Sequence, residues 1–269
     1  MRDENVIEVE HILEQGSGAL NEDYLIMDHN IFGVFDGATS LSGACFEDGK
    51  SGGCMASSIA GQVFLRNHHP LVRLGAEAND CIRAQMEECR VDLSQRCGLW
   101  STSAAVVRLR DEEIEWFQTG DSQVVFIGRD GGYKVAARRD DHDYPTLDMI
   151  RERGRFHPEV QKLVERVRQG MNRDYGVLNG EREAEDFFRT GVEPRRNIKT
   201  VLLFTDGLDL PCPTPAKCKD FSRIVNMACE LGLDGLRAHV RSQEAADPDM
   251  ALYPRFKKHD DIAAIAIHF

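Results

Sequence analysis

The stretch that decides the fold runs from Ile31 to Ser40 and reads IFGVFDGATS. Ile31, Val34 and Phe35 form an apolar, β-prone run with one glycine inside it, and Asp36-Gly37 ends it. A buried strand that stops on an aspartate sets a carboxylate at the rim of a sheet. The glycine after it leaves a carbonyl open to close approach. Taken alone, Asp-Gly is also a common hairpin turn, so the choice rests on the rest of the chain.

Working outward, the same arrangement recurs. Asn21-Glu22-Asp23 precedes the apolar run Tyr24 to Met27, Thr205-Asp206-Gly207 follows Val201 to Phe204, and Asp260-Asp261 precedes Ile262 to Ile267. Gly120-Asp121-Ser122 marks a further acidic turn. Carboxylates gathered at one rim repel one another unless they share cations. Hard divalent ions such as Mn²⁺ and Mg²⁺ take oxygen ligands of this kind. Two such ions about 4 Å apart activate a water and clamp a phosphoryl group. No rival nucleophile competes: there is no GxSxG elbow, and no cysteine sits in a sharp, glycine-rich turn.

Between these points the chain alternates in blocks. Strands are expected at Val6 to Leu13, Tyr24 to Met27 and Ile31 to Phe35, followed by helices at Cys54 to Asn67 and Ala76 to Gln95. Four strands follow, Ser103 to Leu109, Ile114 to Gln118, Gln123 to Ile127 and Tyr133 to Ala137, read as one antiparallel meander. Residues 142 to 197 are polar and arginine-rich. A buried strand at Val201 to Phe204, helices at Lys217 to Leu231 and Leu233 to Glu244, and a last strand at Ile262 to Ile267 complete the chain. Strands and helix pairs in this order predict an α+β fold, a four-layer α-β-β-α sandwich of two antiparallel sheets flanked by helix pairs.

The chain has 269 residues, no Pro/Gly/Ser-rich linker and no internal repeat, so a single domain over residues 1–269 is expected. A net charge of −12 without a broad basic face argues against nucleic acid and suits a protein that binds cations. No stretch has the length of a membrane span, and the acidic start MRDENVIEVEH lacks an apolar signal core, which predicts a cytoplasmic protein with no membrane partner. The eight cysteines lack a CxxC pair and are expected to be reduced thiols, with Cys212 and Cys218 a remote zinc pair.

Six short pieces together resemble the metal-dependent protein phosphatases, the PPM or type 2C family. They are NED (Asn21 to Asp23), FGVFDG (Phe32 to Gly37), STSAAV (Ser101 to Val106), TGDSQ (Thr119 to Gln123), LLFTDGL (Leu202 to Leu208) and DDIAAIAI (Asp260 to Ile267). They stand in the family's order from residue 21 to 267. The resemblance implies the same sandwich, and a serine/threonine phosphoprotein phosphatase using two Mn²⁺ or Mg²⁺ ions, with a third possible. It implies a phosphorylated protein substrate and pairing with a Ser/Thr kinase. By position, Asp36 would bridge two ions, the Gly37 carbonyl would bind one, and Asp206 and Asp260 would complete the second site. Glu22 and Asp23 would hold metal-bound waters, and Asp121 would hold the third ion with Asp206.

The sequence departs from the family's pattern at defined points. Gly18 stands where the family often carries a phosphate-binding arginine, Ala38-Thr39-Ser40 where it shows a glycine pair or a histidine, and Asp261 where it shows an asparagine. Residues 142–197 take the place of the family's flap as a variable insert. The replacement arginine is expected from that insert, with Arg138-Arg139 the next choice. The alternatives are a catalytically weak or inactive metal- or ligand-sensing interaction module with this fold, and a small-molecule phosphatase. The covalent phosphatases with a DxDGT motif are excluded, because their nucleophile would fall on Val34.

Overall fold

A computed structural model of the chain describes residues 7–38, 41, 44–140, 142–214 and 221–269. The strands are β1 Glu8–Glu14, β2 Tyr24–Asp28, β3 Ile31–Gly37, β4 Thr102–Leu109, β5 Glu113–Thr119, β6 Gln123–Gly128, β7 Tyr133–Val135, β8 Arg189–Pro194, β9 Ile198–Phe204 and β10 Ile262–His268. The helices are α1 Gly52–Leu65, α2 Leu71–Glu88, α3 Tyr144–Arg153, α4 Pro158–Gln169 and α5 Ser222–Ala246.

The strands form two five-stranded sheets, ordered β1-β10-β9-β6-β7 and β2-β3-β4-β5-β8, with every neighbouring pair antiparallel. Side-chain alternation divides the core into three layers. Val34, Ala105, Val107, Val124, Phe126, Val201, Leu203, Ala263 and Ile265 interlock between the sheets. The opposite faces turn outward to helices. Ile31, Phe35, Val106 and Phe117 meet Ala60, Phe64, Leu74 and Ile82 of α1 and α2. Val125, Leu202, Phe204 and Ala264 meet Ile224, Leu233 and Leu236 of α5. The near-continuous apolar runs of β3, β9 and β10 follow from this, since both of their faces are buried.

Helix α5 is broken at Gly232 (φ +68°), so two helical pieces flank this sheet, as the sequence predicts. The predicted start, Lys217 to Asp220, lies outside the described residues. Ser51 caps α1, its hydroxyl accepting from the Cys54 N–H at 3.2 Å, which starts that helix earlier than its apolar spacing implies.

Three features differ from the sequence reading. The predicted meander is split: β4 and β5 stay in one sheet, while β6 and β7 join the other. The chain crosses between sheets at Gly120, whose φ of +77° and close packing on Ser103 exclude a side chain. Second, residues 142–197 are only partly a surface insert. Met171, Tyr175 and Leu178 enter the core, and β8 completes the second sheet beside β5. Only α3 and α4 project polar faces, burying Thr146, Ile150 and Val160 alone. Third, Cys212 is disulfide-bonded, against the expectation of reduced thiols. Cys45, Cys54, Cys81, Cys89, Cys97 and Cys229 carry no disulfide, and Cys218 lies outside the described residues. Among the described residues no helix is long and apolar enough to cross a membrane.

Candidate metal centre

The acidic centre is built where strands of both sheets end at one rim. Asp36 is the penultimate residue of β3 and pairs across with Ser103 of β4. Ser103 Oγ lies 2.6 Å from Ser122 Oγ, which anchors the Gly120-Asp121 crossing next to the end of β3. Beyond Asp36 the backbones crowd together. A Cβ on Gly37 would come within 2.4 Å of the Gly53 carbonyl oxygen and 2.5 Å of that of Glu22, so only glycine fits. The Gly37 N–H donates to the Glu22 carbonyl at 3.2 Å, and Ser57 Oγ donates to the same oxygen at 2.7 Å.

Two buried side chains hold the remaining acids in place. Thr205, just after β9, donates from Oγ1 to Asp23 Oδ2 at 2.7 Å and accepts from the Ala263 N–H at 2.9 Å. It thereby ties the entry of β2 in one sheet to β10 in the other. Asp261, 3% exposed, accepts the Gly16 N–H at 2.7 Å and the Glu22 N–H at 2.9 Å, so the loop carrying Glu22 and Asp23 is strapped onto the start of β10. Asp261 is therefore a structural strap whose two carboxylate oxygens are both already engaged.

The electrostatics define what this arrangement demands. Burial raises the Asp36 pKa well above the usual carboxylate range, and Asp206, Asp23, Asp121 and Asp260 push it further. Burial likewise raises Asp206, with Asp260 and Asp121 adding to it and Arg139 opposing. Asp23 is raised by burial and by Asp260 and Asp261, against the Thr205 hydrogen bond and Lys257. Asp121 differs. Burial pushes its pKa up, but His142, Arg139 and a hydrogen bond from Ser103 outweigh that and hold its carboxyl below the usual range. The donor set is oxygen throughout, negative and mutually repelling, so it fits hard divalent cations.

One cation is already present as a side chain. Lys257 Nζ lies 2.7 Å from Asp260 Oδ1 and 3.8 Å from Glu22 Oε2. Burial opposes its charge, yet Asp260, Asp36 and Asp261 hold it protonated above the usual lysine range. Ser51 Oγ donates to the other oxygen of Glu22. Arg139 pairs with Asp209, and its charge is reinforced by Asp121 and Asp206.

Asp121, Arg138, Arg139, His142, Asp206, Lys257 and Asp260 border a cavity of about 560 Å³, with Tyr133, Tyr144, Phe221, Tyr253 and Phe256 on its apolar walls. Arg138 and Arg139, the second choice for the phosphate-binding arginine after residues 142–197, lie on this cavity. Arg195 instead stacks on Phe269, 4.5 Å from its ring centroid. His142 belongs to this rim. It is 15% exposed, stacks on Tyr175 with ring centroids 3.7 Å apart, and lies 4.0 Å from Asp121 Oδ2 and 3.5 Å from Asp143 Oδ2. His259 is structural, its Nδ1 2.8 Å from Glu244 Oε2.

The structure thus brings Asp23, Asp36, Asp121, Asp206 and Asp260 into one another's field, with the Glu22 carboxylate at the edge on Ser51 and Lys257. Asp36, Asp206 and Asp260 are not drawn so close that their oxygens lie within 4.8 Å of one another. Among the described residues, the groups that are so close are Asp121, His142 and Asp143 beside this rim, and His68, His69 and Glu77 elsewhere. Sequence reasoning missed Lys257, because the run KKHDD (Lys257 to Asp261) looks like a solvated charge cluster. It also missed the Thr205 bridge, whose only signal is a β-branched hydroxyl residue closing an apolar run.

A model of the family described as "Protein phosphatase 2C" matches residues 14–239. No protein of curated function matches the chain in sequence. Solved structures share its fold at low identity. The catalytic domain of the serine/threonine phosphatase PstP, in complex with two manganese ions, is 16% identical over 97% of each chain, with a TM-score of 0.58. Serine/threonine phosphatase Stp1 from Staphylococcus aureus is 12% identical, covering 98% of this chain and 95% of its own, with a TM-score of 0.62. PppA, a regulatory component of T6SS in Pseudomonas aeruginosa, is 18% identical over 97% of each chain, with a TM-score of 0.58.

Proposed function

The chain belongs to the protein phosphatase 2C family, and we propose that it is a metal-dependent serine/threonine phosphatase that hydrolyses phosphate monoesters on proteins. The observation that carries this reading is the set of mutually repelling carboxylates at strand ends from both sheets, Asp23 buried and Asp36 and Asp206 half-buried. A cluster of that sign is stabilised by divalent cations.

Asp36 would bridge two Mn²⁺ or Mg²⁺ ions, with the Gly37 carbonyl on one and Asp206 and Asp260 on the other. Glu22 and Asp23 would hold the surrounding waters. When bound, the ions supply a water activated for in-line attack on phosphorus and neutralise the phosphoryl charge. The chain's own residues do the positioning. Thr205 and Asp261 fix the acidic loop, and the crowding at Gly37 fixes the end of β3. Lys257, with Arg138 and Arg139 on the cavity, offers cationic partners for a phosphoryl oxygen where Gly18 has no side chain to give. We read the chain as one domain acting in the cytoplasm on phosphoproteins made by a Ser/Thr kinase, with no nucleic-acid or membrane partner.

The test is hydrolysis of an aryl phosphate and of phosphoserine and phosphothreonine peptides by chelator-treated protein, with and without Mn²⁺. Turnover that appears only with Mn²⁺ supports the reading, and its absence on every substrate defeats it. One observation favours a second reading. Lys257 already neutralises Asp260, so a member that never fills its centre would be a non-catalytic interaction module. Its signature is melting indifferent to Mn²⁺ together with no hydrolysis.

A further inference from the structure

Away from the acidic rim, a second group of ligand-type side chains converges. His68 and His69 lie in the turn between α1 and α2, and Glu77 lies two turns into α2. One ligand atom from each lies within 4.8 Å of the other two. His68 Nε2 is 3.4 Å from Glu77 Oε2, and the two imidazole rings have centroids 4.2 Å apart. We propose that His68, His69 and Glu77 form a second metal site, for a borderline divalent ion of the Zn²⁺ class, separate from the oxygen-only centre.

The donor set carries the choice of ion. Two imidazoles and one carboxylate suit Zn²⁺ and its neighbours, whereas Mn²⁺ and Mg²⁺ favour carboxylates, carbonyls and water. A single protein with both sets sorts metals by ligand type. The outer hydrogen bonds also fit. Arg66 Nη1 holds Glu77 Oε1, which turns the other oxygen, Oε2, toward His68. Orienting a ligating carboxylate through its second oxygen is the usual device around a metal.

The backbone that carries the histidines is pinned on both sides. Asn67, at φ +51°, donates from Nδ2 to Asn30 Oδ1 at 2.9 Å. The buried guanidinium of Arg108 donates to the His69 carbonyl at 2.6 Å, and Pro70 then opens α2. An ordinary surface ion pair would need only His68 and Glu77. The second imidazole, turned to the same point from a fixed backbone, is what the pair alone leaves unexplained. The three protein ligands leave coordination positions for water or for a ligand from the adjoining cleft of about 480 Å³, lined by Arg108, Trp116 and Val192 among others.

Hydrolysis plays no part in the test, so its result and that of the phosphatase reading are independent. Zn²⁺ is titrated calorimetrically into full-length protein held in excess Mn²⁺, which keeps the acidic rim filled. One Zn²⁺ per chain is expected, weakened roughly tenfold or more by His68→Ala, His69→Ala or Glu77→Gln, and unchanged by Asp36→Asn. Arg66→Ala should weaken it less. No binding, or binding lost with Asp36→Asn and kept in the histidine variants, rejects the site. Should a variant fold poorly, imidazole NMR of the unaltered protein decides instead. Zn²⁺ must shift the resonances of both His68 and His69, and shifts at neither exclude the proposal.

Discussion

The acidic and the basic sides of the rim centre are assembled by different means. Asp36, Asp206 and Asp260 stand at strand ends or directly beside them, and Asp121 sits in the turn between β5 and β6. Their directions are inherited from ladders that the core holds on both faces. Arg139, His142 and Lys257 sit in loops, placed by individual ion pairs and one ring stack. A strand end can hardly move without disturbing the sheet, whereas a loop cation can swing or be replaced. The acids are therefore expected to be indispensable as a set, and the bases to be graded in effect.

The largest test of that contrast is Asp36→Asn. It keeps the shape and removes the charge at the position proposed to serve both ions, so hydrolysis should fall by roughly 10³-fold or more, while the metal-free protein should melt no lower, and higher at high pH, where the charge of Asp36 is repelled by its neighbours. Asp206→Asn and Asp260→Asn should act similarly, and the effects should not add, because the site works as a unit. Near-normal turnover in Asp36→Asn would remove the acidic side from the chemistry altogether.

Next in size is the response of stability to pH and metal. Asp23, Asp36 and Asp206 have folded-state pKa values above their unfolded ones. Such groups favour the folded state at low pH, and that contribution is lost as pH rises through their folded values. Asp121 has the opposite sign, favouring the folded state above its unfolded value, but it is one group against three. The metal-free protein should therefore melt lower as pH is raised above the usual carboxylate range. Mn²⁺ at about 100 times its dissociation constant should return about 2.7 kcal/mol of stability. Calorimetric scans with and without Mn²⁺ measure both. Equal melting temperatures in the two series would mean that the acids do not assemble a cation site.

What was legible in the chain follows the same division. The runs IFGVFDG and LLFTDG and the strand after Asp260 announce themselves because doubly buried strands are continuously apolar and end abruptly on acids. β8, RTGVEP, was not visible. It is an edge strand, mostly exposed and closed by proline, and nothing in its composition separates it from a loop. The split of the meander was hidden as well, since a tight glycine turn can either close a hairpin or carry the chain to another sheet. Lys257 was unreadable as a site residue because a loop's path depends on contacts far away in sequence, such as the strap from Asp261 to Gly16.

The basic side is tested by Lys257→Ala. If Lys257 helps to hold the phosphoryl group, the Michaelis constant for an aryl phosphate should rise roughly tenfold. Mn²⁺ affinity should hold or improve, because a competing cation leaves Asp260. Lys257→Arg should recover most of the loss. A loss as deep as that of Asp36→Asn would erase the contrast between the two sides.

Asp121 is the case that sharpens the comparison, because it belongs to both sides. It comes from the turn between two strands, like an acid of the centre, yet its neighbours are Arg139 and His142. Those neighbours hold its carboxyl in the charged form, so it needs a metal less than Asp36 does. If it holds any ion, that ion has few protein ligands and is held loosely. Asp121→Ala should then leave the two inner ions bound, as counted by metal analysis after desalting. It should lower turnover by about tenfold or less, well short of the Asp36→Asn effect. Removing its charge also relieves the repulsion it exerts on Asp36 and Asp206. The metal-free protein should accordingly lose little stability at high pH, despite the broken contacts to His142 and Arg139. Loss of the inner ions in this variant would make Asp121 a ligand of the main pair, and the division between strand-end acids and loop bases would have to be redrawn through it.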